Sequence, residues 1–152
     1  MGTPVAYTTI QNALETILKA DARTNVARIF VEEEPQFDIM DSQQVIAVFM
    51  ERRVAGPKDQ QLGLAKRTRY HLTITIWVLA FSIESYRTAC DLRNTLLDNL
   101  ELTLMDNRTI SNTVTTSWLE GGVMISAKDP QKGVFTAAAE TILTAEVSAV
   151  NT

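Results

Sequence analysis

Arg69-Tyr-His-Leu-Thr-Ile-Thr-Ile-Trp-Val-Leu-Ala-Phe-Ser-Ile-Glu-Ser-Tyr-Arg-Thr-Ala-Cys-Asp-Leu-Arg-Asn-Thr-Leu-Leu-Asp-Asn-Leu100 carries two periodicities in succession. The first has a period of two. Leu72, Ile74, Ile76 and Val78 fall on one side, and His71, Thr73, Thr75 and Trp77 on the other. β-Branched residues dominate, as a half-buried pleated surface prefers. From Ser82 onward the period changes. Tyr86, Ala89, Cys90, Leu96, Leu97 and Leu100 recur at three- and four-residue spacing, which is one face of a helix. Ser82 is read as the N-cap, with Glu84 favourable to the helix dipole. The stretch therefore predicts a strand feeding into a helix that folds back on the strand's apolar side.

Working outward toward the N-terminus, Thr3-Pro4 reads as an N-cap followed by a proline suited to a first helical turn. Ile10, Ala13, Leu14, Ile17 and Leu18 form an apolar stripe, so residues 4–20 are expected to be an amphipathic helix. Residues 26–31 read as a strand that ends at Glu32-Glu33-Glu34-Pro35, where charge and proline stop pairing. A loop is expected over 36–42. Residues 45–53 read as a second strand, although a short apolar run is also compatible with a helix. Residues 55–65 are the clearest loop, with two glycines and a proline.

On the C-terminal side, residues 101–104 extend the helix or begin a short strand, and Asp106-Asn-Arg108 is a turn. Residues 113–119 read as a strand broken by Gly121-Gly122. Residues 128–133 read as a second loop, and Phe135 to Val150 as a long last strand. Ala137-Ala138-Ala139 leaves its first half a helical alternative. The predicted class is α+β: a mainly antiparallel β-sheet with two helices packed on one side, in a single domain spanning 1–152. A loop or hairpin is expected to protrude at about 52–68.

The composition excludes several functions. A net charge of −4 argues against a dedicated nucleic-acid binder, which needs a basic footprint. One cysteine allows no intramolecular disulfide. No run approaches a membrane span, and the first residues lack the pattern of a secretory signal, so no membrane partner is expected.

Catalytic constellations are not evident. His71 is the one histidine and Cys90 the one cysteine. A surface or structural role is the plainer reading for the first, and a small buried hydrophobe for the second. Glu32-Glu33-Glu34 with Asp38 and Asp41 offers oxygens for a divalent cation, but the spacing matches no EF-hand loop, and a solvated edge is the plainer reading. No phosphate-loop or nucleophile-elbow motif occurs. The expectation is no enzyme, no cofactor and no metal. The feature that stands out is a local excess of Arg52, Arg53, Lys58, Lys66, Arg67 and Arg69 on an acidic chain. It reads as a contact arm or as a solvated loop. As interface residues we single out Arg52, Arg53, Lys58, Lys66 and Arg67, with Glu32, Glu33 and Glu34 as the opposite charge.

The succession of three segments resembles the tail terminators, or tail completion proteins, of long-tailed phages, of the lambda minor tail protein U type. The segments are the helix Ile10-Gln-Asn-Ala-Leu-Glu-Thr-Ile-Leu18, the strand Leu72-Thr-Ile-Thr-Ile-Trp-Val78 with its helix from Glu84 to Leu97, and the closing Lys132-Gly-Val-Phe-Thr-Ala-Ala-Ala-Glu-Thr-Ile-Leu-Thr-Ala-Glu-Val147. The likeness is one of order and texture over most of the chain, without a short diagnostic motif. It implies a virion protein of the tail or neck, assembled in the host cytoplasm. Such a subunit forms a homo-oligomeric ring, a hexamer in the family, that caps the head-proximal end of the tail tube. Its partners would be the tail tube protein and the neck or connector proteins, with DNA passing through the lumen without specific binding. The readings that compete with it are another neck, head-tail connector or tail-tube protein, and a small dimeric α+β ligand-binding module.

Overall fold

Alternation in the central stretch predicts one buried and one half-open face, and the backbone follows it. The computed structural model describes residues 7–33, 44–55, 66–131 and 134–151. Its elements are helix α1 (Tyr7–Ala20), strands β1 (Arg28–Val31), β2 (Gln44–Ala55) and β3 (Lys66–Ser82), helix α2 (Tyr86–Asp106), and strands β4 (Thr116–Gln131) and β5 (Val134–Asn151). The strands form one sheet in the order β1-β2-β3-β5-β4. β1 pairs with β2 in parallel, and every other neighbour is antiparallel. The molecule is thus α+β, with both helices on one side of the sheet.

The main core lies between helices and sheet. Leu72, Ile74, Ile76 and Val78 are all buried there, against Ile10, Leu14 and Leu18 of α1 and Leu96, Leu100 and Leu104 of α2. Each large aliphatic side chain so buried contributes about 1.5–3 kcal/mol before its ordering entropy is subtracted. The intervening residues of β3 are only half-buried on the other face, as the alternation requires. That face is not purely polar, however. Phe30, Val45, Ala47, Phe81 and Val134 form a second, smaller cluster there, joined by Phe49, Trp77 and Leu79.

Several local expectations need correction. The cap of α2 is Ser85, whose Oγ accepts from the Thr88 N–H at 3.1 Å. Ser82 belongs to β3, is buried, and accepts from the Glu84 N–H at the bend between strand and helix. Residues 101–104 continue α2. Cys90 is half-buried rather than inside the core, and the apolar stripe instead runs through Ala89, Leu96, Leu100 and Leu104, with Arg93 in its midst.

Gly121-Gly122 does not break β4 but bulges it, shifting its register against β5 between Leu119 and Gly122. Gly121 supplies a left-handed backbone at φ 77°. Gly122 lets β5 approach: a Cβ at this position would lie 1.7 Å from the Glu140 carbonyl oxygen. These are the two uses of glycine that a bulge makes. The supposed loop at 128–133 is strand as far as Gln131, which pairs with Val134. Ala137, Ala138 and Ala139 are strand as well. β5 is flanked by β3 and β4 along most of its length, so its hydrogen bonds outweigh the weak strand preference of alanine. Thr3-Pro4, the loop at 36–42 and the hairpin tip at 56–65 lie outside the described residues.

Candidate functional site

The basic stretch sits at the far end of the two longest neighbouring strands on the N-terminal side. β2 and β3 pair from Gln44 opposite Ala80 to Ala55 opposite Tyr70, with a register shift between Met50 and Arg52. Arg52 and Arg53 therefore belong to the ladder rather than to a loop. Lys66 and Arg67 are also strand residues, paired with Asn151 and Val150 of β5. Lys58 and Glu34 lie outside the described residues.

The acidic edge behaves unevenly. Glu32 adopts a left-handed backbone at φ 55° as the chain leaves β1. Its N–H donates to the Val48 carbonyl at 2.8 Å, and its carboxylate accepts from the Met50 N–H. It is thus held against β2 and serves the fold. Glu33 is exposed. Glu32 and Arg52 line one cleft of about 320 Å³ together with Tyr7, Glu51 and Leu72. A head-to-tail contact needs its two halves on different sides of a subunit. Glu32 and Arg52 share one side, so this pair does not supply both halves.

His71 lies on the sheet face away from the helices, opposite Glu146 in the β3–β5 ladder. Its ring meets Trp118 edge to face, with centroids 5.7 Å apart. Cys90 lies on α2, far along the chain from this pair and without a disulfide partner. Among the described residues no three His, Cys, Asp or Glu side chains gather as a metal site.

The strongest electrostatic feature lies at the base of the helices. Arg23 donates from Nε and Nη2 to the two oxygens of Asp21, at 3.0 and 2.8 Å. Nη2 also reaches Asp106 at 2.9 Å. These bonds from Arg23, followed by its backbone N–H, hold Asp21 down to about 2. Arg23 thereby joins the turn after α1 to the last residue of α2, and Thr24 caps α1 by donating to the Leu18 carbonyl at 2.6 Å. This is a structural clasp of two carboxylates around one guanidinium.

A surface that the sequence reading passed over is the β4 edge. Val123, Met124 and Ile125 are exposed in succession, and Trp118 is exposed before the bulge. Met105 of α2, also exposed, shares a cleft with Trp118. Two clefts run between α2 and β4. One is lined by Leu104, Met105, Arg108, Trp118, Leu119 and Leu143. The other is lined by Leu97, Glu101, Val123, Met124 and Glu140, among others. Three successive apolar residues after Gly121-Gly122 were a visible signal, since an ordinary edge strand alternates. No protein-family model matches the chain, and neither does any curated protein.

Proposed function

We propose that the protein is a structural virion subunit, a tail terminator that assembles head to tail into a six-fold ring. The ring caps the head-proximal end of a phage tail tube and joins it to the neck. Two things support this reading. One is the resemblance in the order of its segments. The other, which carries the argument, is that the two edges of the sheet are unlike. β4 is a 16-residue edge strand, exposed and apolar at Val123, Met124 and Ile125. β1 is a four-residue edge strand followed by exposed charge at Glu33. Unlike edges favour a heterologous contact, in which each copy offers both surfaces and the chain of contacts closes into a ring. Arg52 and Arg53 of β2 and Lys66 and Arg67 of β3 would then serve as contacts for a neighbouring copy or for an acidic tail or neck protein.

The test is capping. Tail tube protein polymerised in the presence of the chain should give tubes bearing one density at one end, and tubes so capped should stop growing. Unchanged growth, with the protein absent from tube ends, overturns the tail-terminator reading and leaves another neck protein or a ligand-binding module in its place.

A further inference from the structure

The last turn of α2 and the first residues of β4 enclose a cleft of about 260 Å³ that is apolar inside and carries a cation. Leu104, Leu119 and Leu143 form its inner part, and Leu104 and Leu143 belong to the main core. Met105 and Trp118, both exposed, line it nearer solvent. Arg108 supplies the cation. The buried Ser117 hydroxyl donates to the Arg108 carbonyl at 2.8 Å. The turn after α2 is thereby pinned to the start of β4, and Arg108 is held beside the cleft.

The neighbouring acids are engaged elsewhere. Asp106 pairs with Arg23, and Glu120 accepts from the Trp118 indole N–H at 2.9 Å. Residues 100–119 and 141–147, which make and flank the cleft, are all described. Among the described residues no carboxylate pairs with Arg108. A cation just past the C-cap Asn107 is favourable to the helix dipole, but the dipole does not call for an apolar hollow beside it. A hollow of this kind next to a guanidinium fits an apolar group that carries a carboxylate, because arginine presents a fork of donors to two oxygens.

Size and strand edge narrow the occupant. The volume is below the about 300–1,000 Å³ of pockets for drug-sized ligands, so one large side chain fills it. β4 is last in the sheet and, among the described strands, pairs only with β5. Alternate N–H and C=O groups of residues 116–119 therefore face outward, where an extended peptide can add as a further strand. In such a strand successive side chains point to opposite faces. An apolar and an acidic side chain in adjacent positions do not both turn toward α2. A C-terminal residue presents both chemistries at once, since its carboxylate belongs to its own backbone. The bulge at Gly121-Gly122 separates this stretch from Val123, Met124 and Ile125, so the site is distinct from the surface on which the ring reading rests.

We propose that the cleft between the end of α2 and the start of β4 binds the C-terminus of an extended peptide from a partner protein. The last side chain, a large aliphatic one, sits among Leu104, Leu119 and Leu143. The terminal carboxylate meets Arg108, and the preceding residues pair with the β4 edge at 116–119.

Peptide titration of the full chain, followed by backbone amide NMR, tests it. The probe is acetyl-Thr-Val-Thr-Val-Leu as the free acid, with the same peptide as its C-terminal amide for comparison. The acid should shift amides of 104–119, and the amide should bind about tenfold or more weakly. Arg108→Gln, at an exposed position, should remove that difference and leave melting unchanged. Equal binding of acid and amide to the parent overturns the proposal, as does the absence of shifts with millimolar free acid. Octanoate bound as tightly as the peptide acid also overturns it, since the strand edge then contributes nothing. Self-association that Arg108→Gln abolishes and the peptide competes away would assign the cleft to a second copy and overturn it too. Met124→Glu should keep peptide binding whether or not rings form, so a failure of the ring reading leaves this site standing. Loss of peptide binding in that variant overturns it as a separate site.

Discussion

The two edges of the sheet are built on opposite principles. The β1 edge is short, and it is tied down at both ends. The turn before it is clasped through Arg23 to Asp21 and Asp106, and Glu32 after it is bonded to β2 through both backbone and side chain. The β4 edge is 16 residues long, bulged at two glycines, and exposes the apolar residues Val123, Met124 and Ile125. A long apolar edge invites another chain, and proteins that stay monomeric blunt such an edge with charge, brevity or a covering element. Here the β1 edge is short and followed by charge, while β4 carries a bulge yet leaves Val123, Met124 and Ile125 exposed. The difference places side-chain bonding near β1 and exposed apolar surface at β4, the surface on which the proposed assembly rests.

The strand between them sets the scale for perturbation. Ile74 is fully buried at the centre of β3, with neighbours on both sides. Ile74→Asp places a charge there without a partner, and soluble folded protein should be lost altogether. Ile74→Ala should remain foldable but lose about 2–5 kcal/mol, read from denaturant midpoints. A soluble Ile74→Asp variant with unchanged melting would dissolve the distinction between centre and edge.

Gly122→Ala comes next and acts on the β4 side alone. The added methyl meets the Glu140 backbone oxygen, which cannot swing aside as a side chain would. The bulge should open and stability fall by about 2–4 kcal/mol. Hydrogen exchange should accelerate at 116–125 and leave β1 and β2 unchanged. Equal acceleration at both edges would mean that they fold as one unit.

Acid gives the smallest effect and acts on the β1 side. The folded carboxyl of Asp21 titrates near 2, below the ordinary 3.8. The unfolded state therefore binds its proton first as pH falls. The stabilisation is whole above about pH 5 and is lost as pH drops from about 4 through about 2. Because the clasp is partly solvated, about 1 kcal/mol is the expected scale. Asp21→Asn should remove that acid dependence, and exchange at residues 21–31 should rise before exchange at β4. A parent and an Asp21→Asn variant with the same acid profile would show that other carboxylates govern it.

Much of this fold was legible because β3 obeys a strict alternation and α1 a clean stripe. Both patterns follow from burial on one face, and burial is what a hydrophobic sequence records. Three features were not readable for identifiable reasons. Ser82 and Ser85 are chemically equal as caps, and only the reach of β3 across to Phe135 chooses between them. Gly121-Gly122 is compatible with a break or a bulge, and the choice depends on whether β5 lies alongside. Ala137-Ala138-Ala139 has helical preference, which two flanking strands override. The candidate site was less legible still. A cluster of like charge such as Arg52, Arg53 and Lys58 is conspicuous in sequence whatever its role. Arg93 is conspicuous only once Ala89, Leu96 and Leu100 are recognised as its companions on a buried stripe. Exposure of Val123, Met124 and Ile125 depends on β4 being last in the sheet, which no local pattern states.

Imaging of the purified protein by electron microscopy across a range of concentrations, with native mass spectrometry on the same samples, tests the central claim most directly. Head-to-tail contact between unlike edges predicts closed particles with a central hole and cyclic symmetry, six copies in each, lost on Met124→Glu. Compact two-fold dimers without a hole, unaffected by Met124→Glu, would contradict it.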